Sequence, residues 1–425
     1  MNLRNGDSCM NYALLMELAT RIGCGIAKGG AETYRVEESI NRMMEAYGVE
    51  SRVYSVPNSL IITILVPGQP PMTQLCRMER CATDLDAVEQ YSNLGRRICW
   101  EKPDLETAFV WLEEAQKARK RYSFGVVLLG YMLVAWGFCI FFGGSLMDSV
   151  CAIACGLLLG VVERWMGKLE SNVFFMKVAA AFLTAALAYS ISTFGLTPNV
   201  DTAVIGVLMI LVPGVLFTNA MRDIIFGDTH SGTNRVVEAL LIGVAVAIGT
   251  AIAWNLVNGL CPLPQQVSPR EYNWVITCAV SLVACSGFVF VFNIHGHGAW
   301  LCALGGMITW GVYCLAQKLD CGSYLCCFLA ACVASGFSEI MARVRKYPAI
   351  SYLVISLLPL IPGAGVYYMA LYAIGGQMSL ASQYGRDTLA VAGVMAAGIL
   401  VVSTAVRMWK THHAKRNVCS GESGK

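Results

Sequence analysis

The sequence predicts a polytopic α-helical membrane protein: about ten transmembrane helices arranged as two inverted five-helix repeats, preceded by a small cytoplasmic α/β or α+β domain. Three observations carry that prediction. Only 14% of the 425 residues are charged and 56% are hydrophobic, whereas roughly 25% are charged in an average soluble protein. The charges concentrate before residue 123. Beyond it, apolar stretches of about 20 residues alternate with short polar breaks, the length needed to cross a hydrocarbon core of about 30 Å. Finally, two stretches recur later in the chain at nearly the same spacing.

Residues 1–122 are expected to form the cytoplasmic domain. Glu17 and Arg21 interrupt the only early apolar run, so no signal peptide is predicted. Residues 11–27 read as an amphipathic helix. Residues 31–47 place Val36, Ile40, Met43, Met44 and Tyr47 on one helical face, with Gly48 positioned to end it. SRVYSV (51–56), SLIITILV (59–66) and TQLCRMER (73–80) read as strands, and residues 83–98 and 104–121 as helices, Pro103 standing at the start of the second.

Ten spans are predicted near 124–142, 145–164, 174–194, 200–220, 236–257, 274–293, 298–315, 323–342, 349–371 and 388–409. They form a first five-helix unit (123–260), a second (271–410) and a cytoplasmic tail (411–425). Lys and Arg in short loops favour the cytoplasmic side. Arg164, Lys168, Arg222, Arg235, Arg343, Arg345 and Lys346 fall on one side with the run KARKR (117–121), and Arg407, Lys410, Lys415 and Arg416 join them; the other side has Arg270, Lys318 and Arg386. Both termini are therefore predicted inside.

GLLLGVVERWMGKLE (156–170) resembles GMITWGVYCLAQKLD (306–320), an offset of 150 from Leu169 to Leu319. LMILVPG (208–214) resembles LLPLIPG (357–363), an offset of 149 from Pro213 to Pro362. An odd number of spans per unit turns the second copy upside down, the inverted repeat found in many transporters.

Within the repeat, Pro213-Gly214 and Pro362-Gly363 break apolar helices at matched positions, with Pro359 and Gly365 nearby. A proline inside a span frees a carbonyl, and matched interruptions in two halves point to a substrate site; alone, such a kink serves packing. Asn219, Arg222 and Asp223 of the first copy correspond to Tyr368, Leu371 and Tyr372 of the second. The first copy thus offers ionisable groups and the second an aromatic wall with Tyr367 and Tyr368. Arg222 and Asp223 serve either as a gate or coupling pair, or as a helix end at which Arg222 snorkels to headgroups.

Glu163, Lys177, Asp201, Glu238 and Glu339 also fall in or near spans, where charges face a cavity or a partner. Glu339 is a proton-acceptor candidate or pairs with Arg343 at i+4. Lys177 is placed to meet a substrate carboxylate or a glutamate such as Glu163 or Glu238. HGHG (295–298) lacks the company of a metal site and reads as a loop. Most of the 18 cysteines, including Cys139, Cys151, Cys155, Cys285 and Cys326, sit among apolar residues and read as packing groups. No Walker A loop, GxSxG or HExxH occurs, which disfavours an ATP-driven pump and common hydrolases. In the N-terminal domain, Glu32, Arg35, Glu37 and Glu38 crowd a helix start, expected as charge pairing on a solvated helix. No cofactor or metal is expected.

GAETYRVEESINRMMEAYGV (30–49) resembles the opening motif of the threonine/serine exporter family. The GxxxWGxY pattern of residues 306–313 and the segment SLLPLIPGAGVYY (356–368) resemble that family's second module. Some members carry the modules as separate chains; here they are fused. The matching motif residues are Gly30, Ala31, Glu32, Arg35, Val36 and Glu37, while Tyr34 stands where relatives often have His. The resemblance implies ten membrane helices, a cytoplasmic N-terminal domain and ion-gradient-driven efflux of small metabolites. Threonine and serine are its named substrates, and split relatives are linked to succinate.

The expected function is secondary active export of small polar metabolites, driven by protons through alternating access, with Asp223, Glu238 or Glu339 as the coupling carboxylate. A dicarboxylate exporter and a membrane-anchored enzyme are the alternatives. The expected setting is the plasma membrane. Expected partners are lipid, a small amino or organic acid and protons, with a homo-oligomer as an option; the net charge of +3 implies no nucleic acid.

Overall fold

The computed structural model describes residues 10–78, 83–169, 172–264, 267–296, 298–345 and 347–421, with side chains described as far as residue 409. His297, Glu170, Lys346, the last two residues of the expected third strand and the side chains of the basic tail lie outside the described residues. Contacts divide the chain into two compact units, Met1–Arg121 and Tyr122–Lys425.

In the first unit, α1 (Tyr12–Lys28), α2 (Thr33–Ala46), α3 (Leu85–Glu101) and α4 (Leu105–Ala118) accompany an antiparallel sheet of β1 (Glu50–Val56), β2 (Ser59–Leu65) and β3 (Met72–Arg77), in the order β1-β2-β3. Strand β2 alternates as sequence periodicity demands, burying Leu60, Ile62 and Ile64. Also buried are Leu15, Leu18 and Ile22 of α1 and Val36, Ile40, Met43 and Met44 of α2, the face predicted from spacing. Gly48 follows α2 with φ +73°, and the Val49 N–H donates to the Met44 carbonyl at 3.0 Å, so glycine closes the helix in the left-handed region. Burial pushes the Tyr47 phenol up to about 12, and its hydroxyl donates to the Pro103 carbonyl at 2.8 Å. The sulfurs of Cys24 of α1 and Cys76 of β3 meet side by side. The reading of cysteines as packing groups did not anticipate that pair, although it describes Cys139, Cys151, Cys155, Cys285 and Cys326, all buried and free.

Among its described residues the second unit has helices and connecting loops and no strands. Its elements are α5 (Phe124–Phe141), α6 (Leu146–Lys168), α7 (Val173–Thr193), α8 (Val200–Leu208), α9 (Gly214–Phe226) and α10 (Thr229–Leu260), then α11 (Trp274–Val291), α12 (Ala299–Lys318), α13 (Ser323–Arg345), α14 (Ala349–Leu357), α15 (Gly363–Ile374) and α16 (Met378–Gly421). Both halves run as three long helices, a broken pair and a long helix. Their packing repeats too: α5 touches α6 and α8 as α11 touches α12 and α14, and α7 lies on α10 as α13 lies on α16.

Ten uninterrupted spans are not what forms. Among the described residues eight helices are long and apolar enough to cross a membrane, or nine if the pair Ala349–Leu360 and Gly363–Ile374, bent by 50°, is one span. The expected span at 200–220 is divided: the first piece ends at Leu208, and Pro213 is the N-cap of the second, which starts at Gly214. Helix α8 has nine residues, about 14 Å of rise, and α9 carries Arg222 and Asp223.

Helices α5 and α11 join the halves through small residues. A Cβ added to Gly130 would meet the Gly287 carbonyl oxygen at 2.8 Å, and one on Gly137 would meet the Ala284 Cβ at 2.8 Å. Numbering runs oppositely along this seam, so the two helices are antiparallel, in the close backbone approach that glycine permits in membranes. The breaks exchange elements between the halves. Tyr367 and Ala370 of α15 join the first half's core around Leu159, Leu208 and Val246, while Phe217 of α9 packs with Val366 and Ala392.

Candidate substrate site at the two broken helices

The two breaks share one backbone geometry. Pro213 has φ −83° and ψ 44°, and Pro362 has φ −77° and ψ 41°. The N–H of Gly214 donates to the Val212 carbonyl at 2.9 Å, and that of Gly363 to the Ile361 carbonyl at 2.7 Å. Each is a three-residue inverse γ-turn with proline at its centre, and each starts a new helix whose first N–H groups lack intrahelical partners. The turns also meet. A Cβ on Gly214 would sit 3.1 Å from the Gly363 Cα, and one on Gly363 would sit 3.2 Å from the Val212 Cγ1 and 3.7 Å from the Gly214 Cα. Neither glycine lies in the left-handed region; closeness of two backbones, not dihedral freedom, demands them. The structure thus brings Pro213, Gly214, Pro362 and Gly363 together.

One turn beyond Gly363, Tyr367 and Tyr368 begin a row of aromatic rings. Their centroids are 5.2 Å apart; Tyr368 lies 5.3 Å from Tyr384, and Tyr372 stacks on Tyr384 at 5.4 Å. Tyr367 is buried, and Tyr189 of α7, also buried, donates from its hydroxyl to Asp201 Oδ1 at 3.5 Å.

The ionisable residues scatter. Arg222 and Asp223 are both buried, 5% and 4% exposed, so Arg222 does not snorkel. Asp223 pairs with Arg235 of α10 at 3.0 Å, and Asn219 is half-buried on the same helix. Lys177 meets Glu163 at 2.5 Å, with Tyr131 donating to the same carboxylate at 2.6 Å; of the partners expected for Lys177, this is the one formed. Glu339 reaches Arg343 at 3.7 Å, the i+4 pairing. Glu238 is exposed on α10. In the first unit, Glu32 is 2% exposed and bonds Arg35 at 2.9 Å, so it is buried where a solvated helix was expected. Glu37 accepts the Ser55 N–H at 2.8 Å, tying α2 to β1. Substituting Glu37 with alanine removes that acceptor, and we expect a loss of about 1 kcal/mol in denaturant unfolding of the full chain followed by a probe in the first unit.

Two features escaped the sequence reading. Asp148 is fully buried, yet its carboxylate accepts from the Ser145 N–H and hydroxyl at 2.8 and 2.7 Å and from the Asn199 N–H at 3.0 Å, a capping box extended to a second helix. Its signal was legible as Ser-x-x-Asp before an apolar run. The partnership of Asp201 with Tyr189 had none, since nothing local marks a contact across two helices.

A multi-span helical bundle with paired interrupted helices and buried ion pairs defines a multi-pass membrane transporter. The chain belongs to the threonine/serine exporter family: the family model described as "Putative threonine/serine exporter" matches residues 17–257, and that described as "Threonine/Serine exporter, ThrE" matches residues 277–405. The family is one of transporters, not enzymes. The chain is similar to the threonine/serine exporter of Corynebacterium glutamicum, 23% identical over 407 residues, covering 91% of this chain and 81% of the relative. It is also 24% identical over 246 residues to "Probable succinate transporter subunit YjjP" of Escherichia coli (strain K12), covering 56% of this chain and 94% of the relative. No solved structure gives a significant match.

Proposed function

We propose that this chain is a secondary active exporter of small amino acids of the threonine/serine type in the plasma membrane, with both termini cytoplasmic. Two inverted five-helix units, 123–260 and 271–410, would work by alternating access around the paired breaks. The carrying observation is the mutual approach of Gly214 and Gly363 at identical turns. Free helix N-termini at such a place favour a carboxylate. The antiparallel α5–α11 seam supports the inversion. The E. coli relative supports a second reading, a dicarboxylate as cargo.

For coupling we favour Asp223 over Glu238 and Glu339, because it is buried within an ion pair that a proton would dissolve. The cycle then alternates between an Asp223–Arg235 pair and a protonated Asp223 with Arg235 released to another partner. Counterflow in proteoliposomes loaded with labelled threonine or succinate, under an imposed pH gradient, tests this. Asp223→Asn is expected to abolish the response to the gradient while Glu238→Gln retains it. Unchanged pH dependence in Asp223→Asn, Glu238→Gln and Glu339→Gln alike would refute proton coupling through these groups. Flux of both solutes no faster than in empty vesicles would refute export.

A further inference from the structure

Buried hydroxyls on the helices of the second unit commonly bond to their own backbone. Those of Thr250, Thr309 and Ser338 each donate to the carbonyl four residues earlier, at 2.9, 2.8 and 2.7 Å, the usual habit of such side chains inside helices. Thr218 of α9 departs from it. It is 2% exposed, and its Oγ1 has no hydrogen-bond partner among the described residues, a state that costs free energy unless another group completes it. Thr184, Thr197, Ser351 and Ser356 are also unpaired, but Thr218 is the member of this group that follows a Pro-Gly break on its own helix.

The position after the break gives the hydroxyl a direction. Gly214, Thr218 and Arg222 recur at every fourth place and form one stripe of α9, at whose head Gly214 meets the Gly363 backbone. Cα–Cβ bonds of a helix lean toward its N-terminus, so Thr218 projects back over the first turn of α9. There the Gly214 N–H donates to the Val212 carbonyl and the Phe217 N–H to the Pro213 carbonyl, both at 2.9 Å. Between them stand the N–H groups of Val215 and Leu216, which a first turn cannot satisfy within the helix. Two N–H groups and a hydroxyl thus share one turn at the positive end of a helix. The buried guanidinium of Arg222 continues the stripe one turn further.

A set of donors in that place suits an acceptor with negative charge and two oxygens, which is a carboxylate. Its N–H groups offer nothing to an ammonium, which needs acceptors. An amino acid and a dicarboxylate both carry a carboxylate, so the site serves either cargo reading. We propose that the Thr218 hydroxyl, with the Val215 and Leu216 N–H groups, grips one carboxylate of the transported molecule and makes Thr218 a cargo-contacting residue. This rests on the exporter reading above and deepens it. One carboxylate oxygen accepts from the hydroxyl and the other from the N–H groups, so binding completes the bonds that α9 itself leaves open. No covalent step is involved.

The test is counterflow with the full chain in proteoliposomes, using labelled L-threonine and labelled succinate, beside thermal unfolding in detergent. Thr218→Val keeps the shape of the side chain and removes the hydroxyl. It should raise the half-saturation concentration of whichever solute the wild type carries about tenfold. The melting temperature should not fall, because an unpaired buried hydroxyl leaves with the substitution. Thr218→Ser restores the donor and should stay within about threefold of wild type. Thr184→Val removes an unpaired hydroxyl from α7, a helix without a break, and should leave half-saturation unchanged. L-Threoninol and succinamide, which lack carboxylates, should inhibit wild-type exchange roughly tenfold or more weakly than threonine and succinate. Unchanged half-saturation in a folded Thr218→Val overturns the proposal while export stands. So does a joint loss of melting temperature and affinity in both Thr218→Val and Thr218→Ser, which would mark a packing role. Should Thr218→Val not fold, Thr218→Ala is judged by the same readings, and equal inhibition of the wild type by the carboxylate-free analogues overturns the proposal by itself. Exchange of neither solute overturns export itself.

Discussion

Gly214→Ala is expected to lower transport at least tenfold and to destabilise the protein, while Gly363→Ala does less. The added Cβ at 214 would overlap the Ile361 Cγ2 methyl and, behind it, press on the Gly363 Cα at 3.1 Å and its N at 3.3 Å, backbone atoms that cannot turn aside. At 363 the first obstacle is a Val212 methyl at 3.2 Å, with the Gly214 Cα farther off at 3.7 Å, and a side chain yields more readily. Overpacking of this kind costs about 1–3 kcal/mol. In alternating access the penalty falls hardest on whichever state holds the turns closest, so the transport rate should suffer more than the melting temperature. Gly259→Ala, where a Cβ meets nothing within 4 Å, is the control and should match wild type. Equal rates for Gly214→Ala and Gly259→Ala would show that the turns separate freely and that their contact is incidental.

Breaking the Lys177–Glu163 pair should give the largest stability loss of any single charge removal near the start of α7. Both side chains are mostly buried, 16% and 19% exposed, and removing one partner of a buried pair costs about 3–5 kcal/mol because the other charge is stranded. With that residual exposure the lower end applies, about 3 kcal/mol for Glu163→Gln. The double variant Glu163→Gln with Lys177→Met should recover most of the loss, since the desolvation of both charges disappears together. Tyr131→Phe removes one hydrogen bond to the carboxylate and should cost about 1.5 kcal/mol. Thermal unfolding in detergent across this cycle supplies the measurement. A double variant no more stable than either single would mean that the pair does not act as a unit.

Much of the molecule was legible because its signals are local. The face of α2 around Val36, Ile40 and Met43 follows from periodicity, as does the alternation of β2. The Pro-Gly breaks stood out against apolar surroundings, and their equal spacing paired them before any contact was known. Charges were harder. Glu163 and Lys177 lie fourteen positions apart, and only the turn between α6 and α7 brings them together; Glu238 offered the same chemistry and turned outward. Reaching headgroups was one of two readings for Arg222, beside a gate or coupling pair, and it lies buried on the α9 face that also buries Asp223, which pairs with α10. Burial of a charge depends on which helix packs above it, and packing is long-range information. For the same reason the count of ten spans overstated continuity: hydropathy averages over Pro213 and sees one segment where the backbone makes two.

The connection between the halves does more than join them. Its Arg270 N–H donates to the Gly143 carbonyl at 2.8 Å, the Tyr272 hydroxyl to the Gly144 carbonyl at 2.8 Å, the Val267 N–H to the Pro198 carbonyl at 3.0 Å, and the Asn199 amide back to the Val267 carbonyl at 2.8 Å. It is laced to the turn after α5 and to the residues just ahead of Asp201. The linker therefore serves as a brace that fixes where α8 begins, so tension between the halves is transmitted to the doorstep of the tyrosine row.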